Sequence, residues 1–236
     1  MGLHYVRAGF VVLCVDNPGT QETWDPRCPG RTELSQHLIL AGRSYFSLGV
    51  RLALQARRWI AARPSVDRRR IAVSGFSLGT NPALMSAVLD PAVGAVVHCG
   101  HLGAQRDRVI ALGLCSEKMW QIVPGMAAWF DKPDLAAALA PRPLLICEGT
   151  APWHARRLRA AYTRCAAAER LRIVWNPAFA SASGRRHSAR FTEPPRGITE
   201  EQFKRVIAQD SPNHGFKPEI AVPWLMRAMC HRRPKT

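Results

Sequence analysis

The chain has 236 residues, 47% of them hydrophobic, so we expect residues 1–236 to form a single α/β domain with a large buried core. The formal net charge is +16, but the arginines are spread along the chain and not interleaved with aromatic residues, so we expect only non-specific binding to polyanions and no specific nucleic-acid surface. No apolar stretch is long enough to span a bilayer and the start is unlike a secretory signal, so we expect no membrane segment and a cytoplasmic location.

The first half of the chain alternates apolar runs with helical patterns. Residues 10–15 are a continuous apolar run closed by Asp16-Asn-Pro-Gly19, which predicts a buried parallel strand. Residues 34–63 have helical periodicity and end at a proline, which predicts a helix. A strand over residues 71–74, a helix over 82–89 and a buried strand over 92–99 follow.

The second half continues the alternation after an irregular segment. Residues 102–130 have no clear period and form a candidate cap or lid over a site. The elements predicted after it are helix 135–140 with Asp134 as its N-cap, strand 143–148 stopped by Gly149, helix 152–170, strand 171–175, helix 199–209 and helix 219–231. The predicted fold class is therefore α/β, with a mostly parallel sheet flanked by helices.

The seven cysteines are odd in number and scattered, without a C-x-x-C pair. Cys14, Cys99 and Cys147 lie in predicted strands, where free cysteine behaves as a small core residue in a reducing compartment. No Cys/His pair has the spacing of metal ligands. We therefore expect no metal and no cofactor.

The motif Gly75-Phe-Ser77-Leu-Gly79, here called the elbow, lies between a predicted strand and a predicted helix. A G-x-S-x-G turn in this context presents the serine hydroxyl above the carboxyl edge of a parallel sheet, which predicts that Ser77 is a nucleophile. The N–H of Leu78 is then a candidate oxyanion donor, and Phe76 is a candidate substrate-binding neighbour. The alternative is an ordinary glycine-rich turn.

His214 is the histidine that best fits a catalytic base. It lies in a turn after the last predicted strand and before the last helix, and in serine hydrolases of this layout the base comes last in chain order. The alternative is a loop histidine that caps the helix or contacts water. His187 lies too early and in too basic a segment, whereas His98 and His101 end a strand near the elbow and either line the pocket or are buried neutral groups.

The acid that should orient this histidine is missing from its expected place. The loop after strand 143–148 contains no Asp or Glu, so the nearest carboxylate is that of Glu148 at the strand end. Its longer side chain could reach a histidine ring, although it could also only accept backbone hydrogen bonds. Asp107 is a second candidate, and we interpret Asp131, Asp134 and Asp210 as capping or turn residues.

On these residues the sequence resembles bacterial α/β-hydrolases of the dienelactone hydrolase and acetyl xylan esterase-like group. The resemblance extends from about Gly9 to His231, and its matching segments are residues 8–19, 42–44, 67–79, 131–149 and 213–225. Such proteins hydrolyse carboxylic esters through a triad of Ser, Asp or Glu, and His. The resemblance implies Ser77 as nucleophile and His214 as base, and it places the family's aspartate near Ala151 or Pro152, neither of which can serve.

The chain also departs from this family at its start. In these hydrolases the strand that matches residues 10–15 is the fourth, and three strands and a loop that supplies an oxyanion N–H precede it. Only nine residues do so here, so we expect an N-terminally shortened version of a larger hydrolase. Residues 10–15 must then pair directly with the elbow strand or leave a gap of unpaired backbone groups. Loss of one oxyanion donor would lower the rate by about two to three orders of magnitude.

The expected function is hydrolysis of small-molecule carboxylic esters through an acyl-enzyme. The candidate catalytic residues are Ser77, His214 and, as the acid, Glu148, and the candidate oxyanion and substrate residues are Leu78, Phe76 and His101. Two alternatives stay open from the sequence: a catalytically impaired or non-catalytic truncated relative, and a peptidase or other acyl hydrolase. The sequence does not indicate the oligomeric state.

Overall fold

The computed structural model describes residues 1–27, 30–113 and 118–230. Within these ranges four strands form one sheet, namely β1 (Ala72–Phe76), β2 (Ala95–Cys99), β3 (Leu144–Ile146) and β4 (Leu171–Ile173). The α-helices are α1 (Gly2–Arg7), α2 (Arg31–Leu40), α3 (Tyr45–Ala61), α4 (Thr80–Leu89), α5 (Gln105–Leu112), α6 (Met126–Trp129), α7 (Lys132–Ala137), α8 (Pro152–Arg164), α9 (Glu200–Val206) and α10 (Pro218–Cys230). No helix among these is long and apolar enough to cross a membrane.

The sheet is parallel throughout, in the order β1-β2-β3-β4. Gly75 of β1 is in register with His98 of β2, which is in register with Ile146 of β3. The strands β1, β2 and β3 therefore end side by side, and the residues that follow them meet at one carboxyl edge. The parallel sheet flanked by helices confirms the predicted α/β fold class. In open α/β sheets ligands bind at the carboxyl edge, so we expect a site at this edge.

Alternate side chains of the central strands point into two separate cores, as the two-residue period of a strand requires. On one face, Val96 packs in a buried cluster with Leu84 of α4, Ala136 of α7 and Leu158 of α8. On the other face, Val97 and its neighbours pack against α1 and α10. Both faces of β2 are buried, which explains why its sequence reads as a continuous apolar run.

The prediction of a buried strand over residues 10–15 is wrong. These residues have no regular secondary structure, and Val11, Leu13 and Val15 are 57%, 39% and 47% exposed. Phe10 and Val12 do pack against the α1/α10 core, so the segment is covered at these two side chains only. The predicted burial of Cys14 is also wrong, since its side chain is exposed, whereas Cys99 and Cys147 are buried as expected.

The unpaired segment also decides how the sheet ends. Residues 10–15 do not pair with β1. Among the described residues β1 pairs with β2 alone, so β1 is an edge strand of the sheet. A strand needs a neighbouring edge as well as apolar side chains, because its backbone N–H and C=O groups must be satisfied. Hydrophobicity alone therefore predicted burial where no hydrogen-bonded neighbour is present.

Two helix predictions also need correction. The single helix over residues 34–63 is in fact α2 and α3, because the chain turns at Gly42, whose φ of 66° is left-handed, and α3 restarts with a capping box at Ser44. The helix predicted over residues 135–140 is α7, and its N-cap is Asp131. Asp134 is the third residue of that helix and completes its capping box, so the prediction misplaced the cap by one turn.

The predicted cap, residues 102–130, is described except for residues 114–117, and the described residues 102–113 and 118–130 are more regular than expected. They include α5, α6 and a 3-10 turn at Met119–Gln121, and the turn packs against α2 and α3. Gly103, Trp120 and Gln121 from this segment line a cavity at the carboxyl edge of the sheet. Its role as a cap stays a prediction.

Candidate active site

The elbow has the backbone conformation that its glycines permit. Ser77 has a φ of 53°, a left-handed conformation that side chains rarely adopt. A Cβ on Gly75 would lie 2.2 Å from the carbonyl oxygen of Gly79, so only glycine fits where the strand passes the first turn of α4. The Thr80 hydroxyl donates to the Ser77 carbonyl at 2.6 Å and closes the turn.

Ser77 opens into a cavity of about 510 Å³ at the carboxyl edge of the sheet. The predicted residues Leu78, His101, Glu148 and His214 line the same cavity. Among the described residues the Ser77 hydroxyl has no hydrogen-bond partner, and it makes no direct hydrogen bond to His214. The nucleophile candidate therefore faces open space that a substrate can enter.

His214 is held by contacts on two sides of its ring. Its Nδ1 lies 2.7 Å from Oε2 of Glu148, which leaves Nε2 as the nitrogen that can serve the cavity. The ring stacks on Phe76, with 4.9 Å between the centroids and 23° between the planes. Phe76 therefore supports the imidazole that shares the cavity with the next residue, Ser77.

Glu148 follows the end of β3 and is the carboxylate that faces His214. Its side chain is 3% exposed. Besides the contact with His214, its Oε1 accepts hydrogen bonds from the Gly215 N–H at 2.9 Å and the Lys217 ammonium at 3.1 Å. Burial acts to raise the pKa of Glu148, but the hydrogen bonds from His214, Gly215 and Lys217 together hold that pKa below its ordinary value. The carboxylate is therefore ionised beside the histidine.

The other acid candidates lie in different contacts. Asp107 is buried and bonded to His154 at 2.7 Å and to the Trp153 indole N–H at 3.1 Å. Asp131 caps α7, and the carboxylate of Asp210 accepts a hydrogen bond from the side chain of Asn213. Of the carboxylates considered from the sequence, Glu148 is the one bonded to His214.

The histidines beside the elbow differ from His214 in their surroundings. Burial lowers the pKa of His98 to about 4, and its Nδ1 bonds to the Gly100 carbonyl at 3.2 Å. Burial likewise lowers the pKa of His101 to about 4, and its Nε2 bonds to the Ile207 carbonyl at 3.0 Å. Both are neutral near pH 7 and line the cavity, so each of the two roles considered from the sequence applies. His187 instead packs against Phe191.

Sequence reasoning missed Lys217. Its ammonium bonds Glu148 at 3.1 Å and the carbonyl groups of Asn213 and Gly215 at 3.0 and 3.1 Å. No motif marks this position, and the only signal is its place three residues after His214. The described residues contain no group of three or more His, Cys, Asp or Glu side chains that could hold a metal ion.

Comparison with known proteins fixes the family. A family model described as "Abhydrolase family" matches residues 1–227, which is nearly the whole chain. The chain belongs to the Abhydrolase family. The crystal structure of a candidate acetyl xylan esterase from Bacteroides fragilis NCTC 9343 superposes on 96% of this Abhydrolase chain with a TM-score of 0.91 and 28% sequence identity. The resemblance to α/β-hydrolases of the acetyl xylan esterase-like group is thereby confirmed.

The Abhydrolase chain matches only part of its relatives. It covers 61% of the Bacteroides fragilis structure. It is also 26% identical over 144 residues to the candidate hydrolase YtaP of Bacillus subtilis (strain 168), a match that spans 60% of this chain and 46% of YtaP.

Proposed function

We propose that this protein is a serine-dependent hydrolase of carboxylic esters that works through an acyl-enzyme intermediate. The observation that carries the proposal is the bonded pair Glu148–His214 in the same cavity as a left-handed Ser77. A nucleophile, a base and an orienting group are the three parts that this chemistry requires. The names of the two relatives, a hydrolase and an acetyl xylan esterase, support the same reaction class.

Each side chain has one role in the proposed reaction. The Ser77 oxygen attacks the ester carbonyl carbon while Nε2 of His214 takes its proton, and the Leu78 N–H stabilises the developing oxyanion. The His214 imidazolium then gives the proton to the departing alcohol as the bond from the carbonyl carbon to the leaving oxygen breaks. Water repeats the sequence on the acyl-enzyme, which releases the acid and restores Ser77. Glu148 holds Nδ1 protonated and stabilises the imidazolium.

The second candidate is a catalytically impaired relative that keeps the scaffold. The exposed apolar side chains of residues 10–15 favour it, as does the outer edge of β1, which has no strand partner among the described residues, because β1 positions Ser77. Leu78 is also the single oxyanion donor that we assign, and a missing donor lowers turnover by about two to three orders of magnitude. Fast Ser77-dependent turnover supports the first candidate, slow Ser77-dependent turnover supports an impaired enzyme that keeps the proposed chemistry, and no turnover above the Ser77→Ala background supports a non-catalytic relative.

The test is labelling with a fluorophosphonate probe together with hydrolysis of p-nitrophenyl acetate. We expect wild-type protein to be labelled and to release p-nitrophenol, and Ser77→Ala to do neither. Ser183→Ala is the matched control, since Ser183 is an exposed loop serine whose hydroxyl contacts that of Ser181. Labelling that persists in Ser77→Ala contradicts the nucleophile assignment, and turnover no faster than in Ser77→Ala contradicts the hydrolase proposal.

A further inference from the structure

Three cationic side chains line the candidate active-site cavity. They are Arg31 at the first turn of α2, Lys118 before the 3-10 turn Met119–Gln121, and Lys132 at the first residue of α7. These residues come from three separate segments of the chain. Their convergence on the space in front of Ser77 is therefore a property of the folded site and not of a local run of basic sequence.

The described side chains of the cavity do not balance this charge. The carboxylates among them are Glu148 and Asp210, and Glu148 is already bonded to Lys217 and His214. Among the described residues no ion pair joins Arg31 or Lys118 to a carboxylate. The cavity therefore has an excess of positive charge over the part of its lining that the structure describes.

Arg31 is also held in place. Its guanidinium lies over the ring of Trp120, 4.6 Å from the centroid, and both residues line the cavity. A guanidinium fixed on an aromatic face keeps its N–H groups at the edge available, and their fork matches a carboxylate or phosphate. Arg31 can therefore bind an anion without first becoming ordered.

The charge of Lys132 acts on the two histidines of the cavity. Burial is the main cause of the low pKa of His98 and of His101, and the positive charge of Lys132 lowers both further. The two imidazoles are thus neutral, and the cations that we assign to substrate recognition are Arg31 and Lys118. An anion in this space has its charge compensated with no rearrangement of the fold.

From this convergence we infer that the site selects esters whose acyl or alcohol part carries a negative charge, such as a carboxylate, with Arg31 and Lys118 as its specificity-determining residues. The inference rests on the proposed function, because it names the substrate class of that same site. It predicts a preference that the neutral acetyl ester used above would not reveal.

The experiment uses two matched substrate pairs to locate the charge. In the alcohol pair, 4-acetoxybenzoate is compared with 4-acetoxybenzamide, and in the acyl pair, mono-4-nitrophenyl glutarate is compared with 4-nitrophenyl pentanoate. We expect kcat/KM to favour the anionic member by about fivefold if one cation contacts the charge and by about 25-fold if both do, in at least one pair, since one partly exposed charge contact contributes about fivefold. The pair that shows the preference identifies the charged part.

Variants then connect the preference to the cavity. Arg31→Met and Lys118→Met should each lower the ratio of anionic to neutral kcat/KM by about fivefold, whereas Arg31→Lys should retain most of it. Arg51→Met is the control for the general field of a +16 chain, because Arg51 is exposed on α3 and does not line the cavity. If Arg51→Met lowers the ratio as much as Arg31→Met, the inference is overturned.

A binding measurement separates this inference from the proposed function. Titration calorimetry of Ser77→Ala with 4-acetoxybenzoate and 4-acetoxybenzamide reports recognition without turnover. Tighter binding of the benzoate, lost in Ser77→Ala/Arg31→Met, supports anion recognition even if wild-type protein hydrolyses nothing, in which case the proposed function alone fails. Equal binding of the two compounds, together with Ser77-dependent turnover that shows no preference in either pair, overturns the inference and leaves the hydrolase proposal intact.

Discussion

Replacing Glu148 by glutamine tests whether this residue orients His214. The carboxylate faces three donors, because Oε2 faces His214 Nδ1 while Oε1 accepts from the Gly215 N–H and the Lys217 ammonium. A glutamine amide has one acceptor oxygen and one NH₂ group. If its oxygen stays with Gly215 and Lys217, its NH₂ faces Nδ1 and stabilises the tautomer in which Nδ1 is unprotonated. Nε2 then carries the proton and cannot accept one from Ser77.

The expected magnitude follows from this wrong tautomer. In triad enzymes the corresponding acid-to-amide change lowers kcat by about 10⁴ while the fold persists. We therefore expect Glu148→Gln to slow both ester hydrolysis and fluorophosphonate labelling by about 10³ to 10⁴. The free energy of unfolding should fall by only about 1–3 kcal/mol, since Lys217 keeps its bonds to the carbonyl groups of Asn213 and Gly215.

The assay is the rate of fluorophosphonate labelling, with urea denaturation of the same samples to confirm folding. Glu193→Gln is the matched control, because it removes an exposed carboxylate from a loop outside the cavity. We expect that control to be within twofold of wild type. Labelling of folded Glu148→Gln at a rate within threefold of wild type would refute the tautomer argument, since the histidine would then be oriented without this carboxylate.

Three further predictions concern stability. Gly75→Ala places a Cβ 2.2 Å from the Gly79 carbonyl oxygen, so the free energy of unfolding in urea should fall by about 3 kcal/mol, and a fall below about 1 kcal/mol would contradict the close approach. Burial lowers the pKa of His98 from its ordinary value of 6.5 to about 4 in the folded chain, so its contribution of about 3 kcal/mol to the free energy of unfolding is present above pH 6.5 and is lost as the pH falls toward 4. In urea titrations at each pH, His98→Gln should flatten the dependence of the free energy of unfolding on pH. An unchanged dependence would contradict the buried, neutral state of His98. Leu13→Ala should lower the free energy of unfolding by about 1 kcal/mol or less, because Leu13 is 39% exposed. A decrease of about 2–5 kcal/mol would instead support a buried strand at residues 10–15.

The sequence predicts the part of the fold whose signals are local. Strand β2 is apolar on both faces and a local G-x-S-x-G motif marks the elbow, so both were identified. The break at Gly42 was missed because one glycine inside a periodic apolar pattern does not reveal whether the helix continues or turns. Residues 10–15 were predicted wrongly because an apolar run indicates a preference for burial but gives no information on whether a neighbouring strand is present to form hydrogen bonds.

The candidate site divides along the same line. Ser77 and His214 could be placed because a motif and chain order mark them. The sequence favoured Glu148 as the partner of His214 because it is the nearest carboxylate, but it left Asp107 open, since the choice depends on which helices surround each carboxylate. Only the fold shows that the carboxylate of Asp107 is hydrogen-bonded to Trp153 and His154 of α8. Lys217 carries no local signal, because an ammonium that bonds a distant carboxylate resembles any surface lysine in sequence.

The position of Glu148 changes what an orienting acid does. Its three donors, His214, Gly215 and Lys217, lie within four consecutive residues of one loop. The carboxylate therefore fixes the backbone and the far end of this loop as well as the imidazole, and a buried charge is tolerated because several hydrogen bonds satisfy it. Positioning of the base and ordering of the loop thus depend on one group at the end of β3. Lys217→Met should consequently slow labelling by misplacing His214, although Lys217 does not face Ser77.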